Sequence, residues 1–72
     1  MDKLKKAYQA QIEQLDSDNL KIILEDREKA LQYARKGIEQ IEPEKLIPEH
    51  IESIANEMQI VAKMILEERT KN

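Results

Sequence analysis

Two prolines five positions apart, Pro43 and Pro48 in the stretch IEPEKLIPEH, constrain this chain more than any other feature, because the residues on both sides follow helical spacing. A proline lacks the backbone N–H, clashes with the carbonyl four residues earlier and disfavours helical geometry in the residue before it. Pro43 therefore disfavours helical geometry at Glu42 and stops the helix before it. Pro48 suits the first turn of a new helix, where its missing N–H has no intrahelical partner. The EKLI between them reads as a turn, with Leu46 and Ile47 expected to plug the end of a bundle. Connections of about 2–8 residues are usual between bundle helices, and a short one generally makes neighbours antiparallel.

After the corner, Ile47, Ile51, Ile54, Met58, Val61 and Ile65 recur at spacings of four and three. This predicts a helix over residues 48–69, with Glu49 and Glu52 at the positive end of its dipole and Arg69 and Lys71 at the negative end. Before the corner, Leu20, Leu24, Arg27, Leu31, Ala34, Ile38 and Ile41 make a similar seam, predicting a helix over 20–41. Arg27 interrupts it, either fixing register or snorkelling at the edge of the core. At 1.5 Å per residue both helices would be roughly 33 Å long, a match that suits antiparallel packing.

A first helix over residues 3–15 is expected from Leu4, Tyr8, Ile12 and Leu15, ending near DSDN, whose side chains compete for backbone hydrogen bonds and favour caps. The row Tyr8, Leu15, Ile22 lies about 200° from the row Leu24, Leu31, Ile38, which favours a break over one continuous helix. Opposite charges four apart, Glu25 with Lys29, Lys63 with Glu67 and Glu67 with Lys71, mark a solvent side at about 0.2–0.5 kcal/mol each. The predicted fold is all-α: a single domain over residues 1–72, an antiparallel helical hairpin with a shorter N-terminal helix and a corner at 42–47, completed as a coiled-coil-like bundle by homodimerisation.

Size supports the last step. The chain has 72 residues, and below about 70–80 residues a single core rarely supplies more than about 3–5 kcal/mol. The absence of cysteine excludes disulfides, thiolate metal sites and thiol redox chemistry. A net charge of -3 argues against nucleic acid as the main partner, since phosphate binding needs a concentrated cationic face. MDKLKKAYQA has no apolar run behind its lysines, and no window approaches the roughly 18 apolar residues of a membrane span. A soluble, cytoplasmic protein with no membrane partner is expected. Richness in Lys, Glu and Ile without Trp or Phe suggests a low-GC bacterium or its phage.

Two sets of residues stand out. Ala30, Ala34, Gly37, Ala55 and Ala62 are candidates for close helix packing. Glycine within a helix costs about 0.5–1 kcal/mol relative to alanine, so Gly37 calls for either close approach of the facing helix or an earlier helix end that it caps. Ile22, Ile60, Met64 and Leu66 fall beside the seams and are candidate interface residues, unless the first helix covers them in a three-helix monomer.

Chemical signatures are sparse. His50 lies beside Glu49, but Ile47 stands three residues before it, so the Glu-x-x-His spacing of helical metal sites is missing and a first-turn histidine is expected. Ser17 and Ser53 have no matching base, and no glycine-rich loop exists to cradle phosphate. No catalytic residue, cofactor or metal is expected. The favoured function is a non-catalytic adaptor, inhibitor or regulator, such as a mobile element could carry, docking a helical face on a protein partner. The alternative is a dimeric nucleic-acid-associated transcriptional regulator using Arg27, Lys29, Arg35 and Lys36, among which Glu25, Asp26, Glu28 and Glu39 are interspersed.

Overall fold

The computed structural model describes residues 5–71, and these are all-helical, with no strand among them. The elements are α1 (Lys6–Glu13), α2 (Ser17–Glu25), α3 (Arg27–Ile41), a 3-10 turn (Pro43–Lys45) and α4 (Pro48–Thr70). Lys3 and Leu4, expected to open the first helix, lie outside the described residues. At 1.5 Å per residue α4 is roughly 35 Å long, which accounts for most of the 39 Å long dimension of the molecule. It is the spine, packing against α1, α2 and α3 in turn.

The largest departure from the sequence reading is a break inside the helix expected over 20–41. Asp26 leaves helical geometry at φ −114° and ψ 105°, closing α2 and capping α3. Its carboxylate accepts from the backbone N–H groups of Glu28 (3.0 Å) and Lys29 (3.3 Å), two of the donors a helix start leaves without partners. The break also resolves the oddity of a charge in the seam. With the register interrupted, α2 buries Leu20 and Ile23 rather than Leu24, α3 buries Ala30, Ala34 and Ile38, and Arg27 becomes the exposed first residue of α3.

Ending α2 early leaves its last carbonyls without intrahelical donors, and α4 supplies one. The Gln59 amide donates to the carbonyls of Ile23 (3.0 Å) and Leu24 (3.4 Å), while its own oxygen accepts from Arg27 (3.0 Å). The break is thus held from both sides. A similar device separates α1 from α2, where the Asp16 carboxylate accepts from the Asn19 backbone N–H at 2.9 Å.

The core runs along the inner face of α4 through Ile51, Ile54, Ala55, Met58 and Ala62, and Tyr8 and Ile12 of α1 close it. Ala30, Ala34, Ala55 and Ala62 are all fully buried, short side chains that let helix backbones come close. Gly37 is also buried, inside α3 and without a positive φ, so it is not a helix cap. A Cβ there would lie 3.2 Å from Tyr8 Cδ1 and 3.0 Å from Gln11 Oε1, both on α1. Close approach of a neighbouring helix is therefore what this glycine accommodates, and α1 supplies the nearest atoms.

Two further expectations change. Ile47 does not plug the bundle; it precedes α4 with 52% of its surface exposed, while Leu46 alone packs partly on the core. The residues of the charge pairs four apart lie on the solvent side as expected, but they do not close as ion pairs; those found among the described residues all converge on Glu42. Glu25 and Lys29 are separated by the Asp26 break. In urea denaturation, Asp26→Ala should cost about 1 kcal/mol through the lost cap, and Gln59→Leu about 1–3 kcal/mol through the stranded carbonyls. A neutral Gln59→Leu would show that water serves those carbonyls equally well.

Candidate functional site

One wall of the site is α1, a helix of eight residues that is too short to persist alone. Its placement depends on Glu42, the residue between α3 and the 3-10 turn, whose surface is only 7% exposed. The Glu42 carboxylate accepts from Tyr8 Oη at 2.7 Å and from Lys5 Nζ. Lys45 Nζ and His50 Nε2 stand 3.8 Å away. A carboxylate withdrawn from water needs such donors. The hydrogen bonds from Lys5 and Tyr8, with the charges of Lys5 and Lys45, outweigh burial and hold Glu42 down at about 2. The Tyr8 phenol moves the other way, above its ordinary range, through burial first and then through its bond to Glu42 and that carboxylate's charge.

The other end of α1 is held by Arg69, near the end of α4. Its guanidinium donates to the carbonyls of Glu13 (3.4 Å) and Leu15 (3.1 Å) and to Ser17 Oγ (3.2 Å). These include carbonyls left over where α1 stops. Along the side of α1, Gln11 donates to Gln40 of α3 at 2.9 Å. Fixed in this way, α1 presents Gln9 and Glu13 toward α4, with Gln9 donating to Glu13 at 3.0 Å.

Between that edge and α4 lies an open groove of about 400 Å³, floored by Ile60, Val61, Met64 and Ile65 and flanked by Glu13, Glu57 and Glu68. At about 100° per residue, Ile60 and Met64 fall roughly opposite the buried stripe of Ile51, Met58 and Ala62. They are 48% and 58% exposed, with Val61 and Ile65 half-buried beside them. One oxygen of Glu57 is buried with no hydrogen-bond partner among the described residues.

The four candidate interface residues therefore separate. Ile60 and Met64 share this groove, whereas Leu66 is half-buried against the core. Ile22 is 41% exposed but lines a different groove, between α2 and α3, with Lys29, Tyr33 and Lys36. Arg35 lines a third depression with Glu28 and Glu52. His50 remains in the first turn of α4, and the described residues contain no group of three or more side chains able to hold a metal ion.

Sequence reasoning missed the acidic rim and the Glu42 cluster. In sequence Glu42 is only the residue before a proline, and its donors come from positions 5, 8, 45 and 50. The alternation of Glu57, Ile60, Met64 and Glu68 was the visible signal for the rim, since these positions fall on one side of a helix. What the arrangement offers is an apolar floor, a carboxylate border and a wall held at both ends. No family model, curated protein or solved structure matches the chain.

The Glu42 cluster carries a pH signature. Its carboxyl is depressed in the fold, so the stabilisation is complete above the ordinary value of 4.5 and is lost as pH falls through about 2. Urea midpoints of the native protein should decline through this acid window more steeply than those of Glu42→Gln. Parallel declines would show that the cluster does not hold α1.

Proposed function

We propose that this chain is a small non-catalytic protein–protein interaction module, an adaptor or inhibitor, that works by docking the outward face of α4 on another helix. The observation that carries this reading is the exposure of Ile60 and Met64, two large apolar side chains one turn apart beside a groove. Apolar residues at spacings of three and four that find no cover in their own fold are the anchors of helix-in-groove recognition. An α3–α4 antiparallel hairpin would serve as the scaffold, and homodimerisation is the self-association form of the same reading. The regulator of nucleic acid receives less support, because Arg35 lines its depression with Glu28 and Glu52.

Met64→Glu separates surface from core. Its circular dichroism should match the native protein, with stability within about 0.5 kcal/mol, as for substitutions away from buried features. Light scattering over a wide concentration range should show any native self-association abolished in the variant. Loss of helix would identify Met64 as a structural residue, and association unaffected by the substitution would remove this face from consideration.

A further inference from the structure

We infer that the α1–α4 groove takes a basic amphipathic helix of a partner protein, its apolar side on Ile60 and Met64 and its cationic edge against Glu13, Glu57 and Glu68. This rests on the docking role proposed above and adds the chemistry of the occupant. The groove's charged lining is entirely acidic. Arg69 of α4 reaches the Glu13 carbonyl at one end of the groove, where it is also engaged with Leu15 and Ser17, and Lys63 falls on the outer flank of the stripe, about 60° from Ile60 and about 100° from Met64. Glu13, Glu57 and Glu68 give a Lys or Arg on an arriving helix carboxylates to pair with, and charge-assisted bonds of this kind are stronger than neutral ones.

A second copy of the chain fits the groove less well. An isologous contact places the same surface on both sides. With the two-fold axis midway between Ile60 and Met64 of antiparallel α4 helices, Glu57 of one copy comes beside Glu68 of the other, at nearly the same height and on the same side of the contact. Like charges facing each other oppose association, so the carboxylates that attract a basic helix discourage this dimer.

The test uses the full chain and two designed helical peptides with leucines at spacings of three and four, one with Lys and Arg beside the leucines and one with Glu in those places. Fluorescence anisotropy should show the basic peptide binding and the acidic one failing. The combined Glu13→Gln, Glu57→Gln and Glu68→Gln variant should weaken binding by about tenfold or more and flatten its salt dependence. A control carrying Glu44→Gln, Glu49→Gln and Glu52→Gln at the far end should bind as the native protein does.

Equal loss in the rim and control variants would reduce the attraction to net charge and overturn the inference, as would failure of the basic peptide to bind. Binding of both peptides that Met64→Glu abolishes would overturn the basic occupant while preserving the docking face. A Met64-dependent dimer by light scattering would make the second copy the occupant, again overturning only this inference. Peptide binding indifferent to Met64→Glu would remove both.

Discussion

The carboxylate of Glu42 is the contact on which the placement of α1 turns. It is nearly excluded from water yet held ionised by Lys5 and Tyr8. An eight-residue helix that buries only Tyr8 and Ile12 has little cohesion of its own, and nucleating a helix is costly without tertiary support. The phenol of Tyr8 links two roles: its ring fills the space that Gly37 leaves open, and its hydroxyl ends on Glu42. The missing side chain in α3 and the buried charge at the corner thus serve the same docking event.

The same economy governs α4. The first part of the chain is divided into short helices, and each termination exposes carbonyls that need donors. Gln59 meets those of α2, and Arg69 meets those at the end of α1. The long helix contributes an apolar face to the core and polar side chains that finish its neighbours. This is why polar residues beside its seam cannot be dismissed as a solvated edge.

The helical class was legible because its cause is local: spacings of three and four, capping side chains and two prolines whose effects are confined to their neighbours. The burial of Ala30, Ala34, Ala55 and Ala62 follows from the same periodicity. The Asp26 break was harder to see, since Leu24, Leu31 and Ile38 keep a helical repeat across it. Its one local sign was Arg27 standing where an apolar residue belonged, and the partner that stabilises the break, Gln59, lies 36 positions from Ile23. Glu42 was hidden for the same reason, because a buried carboxylate is defined by donors that only folding gathers. Ile22 and Leu66 were grouped with Ile60 and Met64 on periodicity alone, which cannot say how α1 and α2 cover the two sides of α4.

The contacts that hold α1 are distant in sequence. Tyr8 meets Glu42 across 34 positions, and Arg69 reaches back 52 to 56. α1 is also the shortest α-helix among the described residues and buries only Tyr8 and Ile12. Any opening that freed it would uncover the seat of those two side chains beside Ile60 and Met64, and would leave a broader and stickier face than the closed protein presents.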